Sequence, residues 1–327
     1  MSSQGNFLTQ KSLAARLGVS QALVSRALSG RAREIGASPQ TIERIRRTAR
    51  ASGYEPSASA LALLGAPTGV VGVAVKDFRD PYFGELVGAL QGVARELGNT
   101  LLLTGSAAGD FAALSRHRVD GVLLVGSNFR PALPSALRRP APRLVQIGSG
   151  TGLAAVRRVS IDEEAAISAI CDLIVGSGHR RAAFVGDGSG NHRNRGRAFL
   201  KAARDRNLTV CPRAGALSRL SDLSFLKSPP GAGRATAIVA ADDVCAHRLL
   251  LRLYAAGLSV PRDVSVVGFD DISASTHCIP PLTTIRQPVE DLAAWAFRLL
   301  ADETLPSQAL PGGIVVRASL KTLSVIS

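Results

Sequence analysis

Residues 69–98 read GVVGVAVKDFRDPYFGELVGALQGVARELG. The run Gly69 to Val75 is apolar and rich in valine, which suits a strand covered on both faces. From about Tyr82 to Leu97 apolar residues return at helical spacing. A buried strand handed directly to an amphipathic helix is the repeating unit of a parallel sheet.

The same alternation continues toward the C-terminus. NTLLLTG (99–105), a short helix near Phe111, VDGVLLVG (119–126) and PRLVQIG (142–148) follow first. The second half has a helix from Glu163 to Val175, RRAAFVG (180–186), a helix from Arg193 to Arg206 and ATAIVAA (235–241). A helix from Asp243 to Ala256, VSVVGFDD (264–271) and a last helix from Val289 to Leu300 complete it. This length implies two lobes, each a parallel sheet flanked by helices, with ligands expected at the strand carboxyl ends in the cleft between them.

Toward the N-terminus the character changes. Residues 1–60 hold nine basic side chains (Lys11, Arg16, Arg26, Arg31, Arg33, Arg44, Arg46, Arg47 and Arg50) against Glu34, Glu43 and Glu55. Three short helices are expected there. Thr9 caps the first, which Gly18 ends; Ser20 caps the second; Ser38 caps the third, with Pro39 at its first position. Two helices joined by a short glycine-containing turn and braced by a third make the helix-turn-helix plan. Its second helix projects Gln21, Ala22, Ser25, Arg26 and Ser29, with Ser20 at its start. The planar fork of Arg26 suits guanine O6 and N7. A basic three-helix bundle with a solvated face fits the same pattern.

Between this module and the body lies a short Ala/Leu segment, Ser57 to Leu64, bounded by Pro56 and Gly65. It is too short to be stable alone, since isolated helices need about 12 residues. It can serve as a linker docked on the body. Alternatively, one of its leucines can act as a wedge in a widened minor groove. The expected division is 1–55 headpiece, 56–67 hinge and linker, and 68–327 two-lobed core.

Composition sets outer limits. The 327 residues carry a formal net charge of +14, with 46% hydrophobic and 20% charged residues, a globular balance with an anionic partner in prospect. Four scattered cysteines give no CxxC pair, so a disulfide frame or structural zinc is not expected. Neither a membrane-spanning run nor a signal peptide is recognisable, and the expectation is a cytoplasmic protein with no membrane partner.

Catalytic and cofactor signals fail one by one. In VGDGSGNHRNRG (185–196) the third glycine of a dinucleotide loop would fall at Asn191, and no P-loop occurs. The pairs Asp242–Asp243 and Asp270–Asp271 could support two-carboxylate or metal chemistry, but strand ends and helix caps explain them equally well. The five histidines show no metal spacing. No cofactor, no metal and no catalytic residue are therefore assigned. Polar and aromatic residues at strand ends say more: Phe78, Tyr82 and Phe83 after the first strand, Asn191 and Arg195 after AAFVG, and Asp270 after VSVVG. Together they suit a small polyhydroxylated or heterocyclic ligand; singly, each fits an ordinary surface or core position.

These markers, in this order, resemble the LacI–GalR family of bacterial transcription regulators. They are LAARLGVSQALVSRALSG (13–30), IRRTARASGYEPSASALALL (45–64), TGVVGVAVKDFRDPYFGELVGAL (68–90), RVDGVLLVGS (118–127), GHRRAAFVGD (178–187), DVSVVGFDDI (263–272) and PPLTTIRQPVEDL (280–292). The resemblance covers roughly Leu8 to Ala318. It implies an α/β fold with an N-terminal helix-turn-helix headpiece and hinge helix, followed by a two-lobed periplasmic-binding-protein-like core. It further implies a homodimer on double-stranded operator DNA, a repressor whose affinity is set by a sugar-like or nucleobase-like effector. Family recognition-helix positions fall on Gln21, Ala22 and Arg26, the minor-groove leucine on Leu63, and effector contacts on Tyr82, Phe83, Asn191, Arg195 and Asp270. Leu61, Leu23 and Ala241 stand where the family usually has Arg, Thr and Asn. The longer loop GRAREIGASP (30–39) adds Arg31 and Arg33 as replacement phosphate contacts. No leucine-heptad tail follows Val316, which favours a dimer over a tetramer. A regulator that has lost effector control, a solute-binding protein and an enzyme on an α/β scaffold are the alternatives.

Overall fold

Capping chemistry sets the first helices. The computed structural model describes residues 9–28, 32–54, 67–106, 108–127, 143–149, 156–188, 190–211, 226 and 233–323. The chain divides into two units, Met1–Val70 and Val71–Ser327. In the first, the Thr9 side chain accepts from the Ser12 backbone N–H at 3.1 Å, while Ser12 Oγ accepts from the Thr9 backbone N–H at 2.9 Å. This reciprocal box opens α1 (Gln10–Leu17), which Gly18 closes in the left-handed conformation at φ 66°. Ser20 Oγ accepts from the Leu23 N–H and opens α2 (Gln21–Leu28). Ser38 does the same for α3 (Pro39–Ala51), with Pro39 in the first turn.

Leu13, Val24, Ala27, Ile45 and Ala49 from the three helices form one small core. The loop before α3 tightens into a 3₁₀ turn, Ala32–Ile35, and sends Ala32 into that core. Arg46 of α3 is half-buried and donates to the Ala27 carbonyl at 3.2 Å, satisfying a helix C-terminus.

In the second unit, β1 (Val70–Val75) is buried over all but its first residue and pairs in parallel with β3 (Gly121–Val125). With β2 (Thr100–Thr104), β4 (Arg143–Ile147), β5 (Arg157–Ile161) and β11 (Gln308–Leu310) they form a sheet in the order β11-β5-β4-β3-β1-β2. A second sheet has the order β7-β6-β8-β9, from β6 (Arg181–Val185), β7 (Thr209–Val210), β8 (Ala237–Ala240) and β9 (Ser265–Val267). The β3 strand is buried throughout, as a parallel strand with both faces covered must be.

The first sheet packs against α4 (Pro81–Glu96), which contributes Leu86 and Leu90 to a core with Val73, Leu123 and Val145. The short helix expected near Phe111 forms α5 (Ala108–Arg116). The second sheet is covered by α6 (Glu163–Gly176) and α7 (Gly190–Asp205), whose Ile167, Ile170 and Phe199 meet Val239 and Phe269. Leu249 and Leu253 of α8 (Asp243–Ala255) join Ile238 and Val266 in a further core.

The lobes are not consecutive halves of the sequence. The chain leaves the first sheet at Ile161 and builds the second. It then passes a short helix α9 (Ala274–His277) and strand β10 (Thr284–Arg286) and returns as α10 (Val289–Ala301). Leu292, Ala296 and Phe297 of α10 share the core of Leu86 and Leu123. The last helix thus belongs to the first lobe, although its position in the sequence suggested the second. Beyond it, β12 (Gly313–Val315) pairs antiparallel with β10. The tail then rejoins the second lobe, where the Leu323 N–H donates to the Ser177 carbonyl.

Candidate functional site

The first unit presents α2. Gln21, Ala22 and Arg26 are exposed on it and Ser25 is half-buried, while Val24 and Ala27 face the core. Ser20 is exposed, and its hydroxyl is engaged as the helix cap. The expected DNA contacts Ser29, Arg31 and Leu63, and with Leu63 the hinge 57–64, lie outside the described residues. So does the side chain of Arg33.

In the second unit a cleft of about 270 Å³ lies at the carboxyl ends of strands from both sheets, where parallel sheets place ligands. Tyr82, Phe83, Asn191, Arg195 and Asp270 all line it. Arg195 is the organising group. Its Nε donates to Glu163 at 2.8 Å, one terminal nitrogen donates to the Ala241 carbonyl at 2.7 Å, and the same nitrogen lies 3.6 Å from Asp270. The guanidinium also stacks 3.7 Å above the Phe269 ring. Burial disfavours its charge, but Glu163 and Asp270 outweigh that cost and raise the pKa.

Asp270 is held in an unusual backbone conformation, φ 124°, and Asp271 follows at φ 59°. Arg286 and Arg317 clamp Asp271, each at 2.7 Å, which helps the chain keep this turn. Burial pushes the Asp270 carboxyl well above its ordinary range; Asp242 and Asp243 push the same way, against Arg195 and the Gln287 amide. Gln287 donates to Asp270 at 2.6 Å and accepts the Tyr82 hydroxyl at 3.0 Å.

On the second lobe, His192 sits between two carboxylates. Its Nδ1 accepts the Asp187 backbone N–H at 3.0 Å, so the neutral ring carries its proton on Nε2 and donates to Asp242 at 2.7 Å. A second proton on Nδ1 would face the Asp187 carboxylate at 2.6 Å. Burial works to raise the Asp242 pKa, but the His192 hydrogen bond and the Cys245 backbone N–H hold it down at about 2. His192, Asp242 and Cys245 bring N, O and S donors within 4.8 Å of one another, a grouping hidden in the sequence by its 50-residue gap. Asp242 already caps α8 and binds His192, and Cys245 is a buried core residue of α8 itself.

Phe78 does not join the expected set. It is 58% exposed and is not among the residues lining the cleft. The turn from Asp77 to Asp80 is tied by an Asp77–Arg79 ion pair at 2.9 Å, and it presents Asp77 and Asp80 to the cleft instead. The sequence reading also passed over Asp80, Glu163, His192, Asp242 and Gln287, all of which line the cleft. Asp80 and Asp242 are helix caps and Glu163 opens a helix, so their local pattern is accounted for without any ligand.

A two-lobed ligand-binding body and a helix-turn-helix unit in one chain define the class: a protein that joins small-molecule sensing to nucleic-acid binding. Residues 171–320 match the periplasmic binding protein-like domain. Catabolite control protein A of Priestia megaterium is 29% identical, with 93% of this chain and 96% of that protein covered. The Lac repressor dimer bound to operator and the anti-inducer ONPF has a similar fold, with TM-score 0.77, 22% identity, and 95% and 98% of the two chains covered. The complex of the transcriptional regulator CelR with cellobiose gives TM-score 0.64 at 25% identity, covering 95% and 99%. Over nearly its whole length the chain is thus similar to transcriptional regulators of the LacI–GalR kind. These relatives are regulators rather than enzymes. Among the described residues no helix is long and apolar enough to cross a membrane.

Proposed function

We propose that this protein is a homodimeric repressor that reads a pseudo-palindromic operator through α2 and is governed by a small polyhydroxylated effector held between the lobes of its core. Gln21, Ala22, Ser25 and Arg26 are its base-reading and backbone-contacting residues, with Ser20 at the helix start. Ser29, Arg31 and the hinge leucine Leu63 complete the interface. Tyr82, Phe83, Asn191, Arg195 and Asp270 hold the effector. Binding changes the lobe angle and, through the hinge, the affinity for DNA. A protein with this task works beside the chromosome, in the cytoplasm.

The observation that carries this reading is Asn191 Oδ1. It is a buried acceptor with no hydrogen-bond partner among the described residues, and its residue lines the cleft. A buried unsatisfied oxygen costs about 1–3 kcal/mol. A hydroxylated ligand removes that cost and accounts for the cluster of acceptors beside it.

The test is selection of bound sequences from random duplex DNA with the full chain at two salt concentrations. One recovered palindrome supports the reading. Binding of unselected DNA that vanishes at moderate salt reduces the headpiece to a phosphate-binding surface and overturns it. Sugars and related metabolites are then screened for a change in affinity for the selected duplex.

A further inference from the structure

The charge around the cleft runs opposite to that of the whole chain. The protein carries +14 overall. The described lining of the cleft has six carboxylates, on Asp77, Asp80, Glu163, Asp187, Asp242 and Asp270, against Lys76 and Arg195. Carboxyl groups thus outnumber the Lys and Arg side chains of the lining by four. Its principal cation is already committed, because Arg195 is spent on Glu163, the Ala241 carbonyl, Asp270 and the Phe269 ring. A phosphate or carboxylate entering here would meet like charge and a guanidinium whose bonds are already made.

Asp80 is the exception among the acids. Asp77 pairs with Arg79, Glu163 with Arg195, and Asp187 and Asp242 flank His192. Asp80 makes its cap to the Tyr82 backbone N–H at 3.0 Å and has no ion pair among the described residues. It is partly buried, and that burial raises its pKa; Asp242 and Asp77 add to the effect. On the other lobe, Asn191 Oδ1 waits for a donor. Each lobe thus offers one acceptor without a matching partner among the described residues: a carboxylate with no ion pair at Asp80 and a bare amide oxygen at Asn191.

We infer that the effector is a polyhydroxylated amine, such as an amino sugar, whose ammonium group pairs with Asp80 and whose donors reach Asn191. This rests on the cleft being the effector site, as proposed above, and adds the charge class of its ligand. The amine supplies the missing counter-charge and donates without accepting, which no neutral sugar hydroxyl does. Phosphorylated sugars are excluded by the same field.

Three small probes of nearly the same shape separate charge from shape: Tris (an ammonium with three hydroxymethyl groups), neutral pentaerythritol, and anionic 2,2-bis(hydroxymethyl)propionate. Each is titrated into the ¹⁵N-labelled full chain in amine-free buffer at matched ionic strength and at a pH where Tris is protonated. The Asn191 side-chain amide signal reports both site and affinity. Tris is expected to bind at least about tenfold more tightly than pentaerythritol, with no binding of the anion. Asp80→Asn keeps a capping side chain for α4. It should remove the advantage of Tris over pentaerythritol. Equal or tighter binding of the neutral or anionic probe overturns the inference, as does absence of Tris binding or an undiminished preference in Asp80→Asn. Failure of the regulator reading shows elsewhere, as a lack of operator selection or of any ligand effect on DNA, since these titrations contain no DNA.

Discussion

Gln287 links the two lobes through Tyr82: its Oε1 accepts the Tyr82 hydroxyl at 3.0 Å while its amide donates to Asp270 at 2.6 Å. Tyr82 stands on the first-lobe helix α4, Asp270 follows the second-lobe strand β9, and Gln287 lies where the chain crosses back. The donor from Tyr82 fixes which way the amide points, so that its N–H faces the carboxylate. Tyr82→Phe keeps the ring that packs beside Phe83 and removes only the donor. It should lower unfolding free energy by about 0.5–1.5 kcal/mol in urea titrations, the usual net worth of one hydrogen bond. An unchanged midpoint would show that water replaces the bond freely and that the link is incidental.

Arg195 and Glu163 are both largely buried, with side chains 7% and 10% exposed. Removing one partner strands the other. Arg195→Met should cost about 3–5 kcal/mol, much of it from the uncompensated charges left on Glu163 and Asp270. Arg195→Met combined with Glu163→Gln should therefore be more stable than Arg195→Met alone. Urea unfolding of wild type, Arg195→Met, Glu163→Gln and the double variant decides it: simple addition of the two single effects would mean that the pair is not coupled.

Much of this architecture was legible in the sequence because parallel strands buried on both faces read as continuous apolar runs. β1, β3 and β8 were plain for that reason. β5 was missed because Arg157 and Arg158 occupy its first two positions, leaving Val159–Ile161 too short to register. The lobe to which α10 belongs could not be read, since an amphipathic face says that a helix packs but not on which sheet. Tyr82, Phe83, Asn191, Arg195 and Asp270 stand after strands in the sequence, and for that reason they line the cleft. Phe78 satisfied the same rule, yet the tight Asp77–Asp80 turn leaves it exposed. His192 and Asp242 lie 2.7 Å apart across a gap of 50 residues, a relationship that only the packing of α7 against the start of α8 creates.

The buried acids set how folding responds to acid. The Asp242 carboxyl is held at about 2 in the folded chain against an ordinary 3.8. A depressed value means that its stabilisation is complete above the ordinary value and is lost as pH falls from about 4 toward 2. Asp270 and Asp243 carry raised values, with burial the main cause of each. Their contribution has the opposite sign: it is present below the ordinary carboxyl range and fades as pH rises through the raised values. Stability should therefore peak in mildly acidic solution. Asp242→Asn keeps a capping side chain for α8. Urea midpoints at pH 5 and pH 3 should show wild type ahead at the higher pH and the gap closing at the lower. A gap independent of pH would mean that Asp242 acts by shape alone.

On the headpiece, Arg26 is the side chain best suited to read a base, because it is exposed on α2 and its fork can donate two parallel bonds to guanine. Arg44 and Arg46 donate to the Leu17 and Ala27 carbonyls at the ends of α1 and α2, which gives them a structural task. Arg26→Ala should cost about 1–3 kcal/mol on the selected operator and relax the preference at one base pair. On unrelated duplexes it should cost much less. The measurement is binding of wild type and variant to the operator, to single-base operator variants and to scrambled DNA at fixed salt. Equal loss on all three would place Arg26 on a phosphate, and the base-reading role would pass to Gln21, the other long polar side chain exposed on α2.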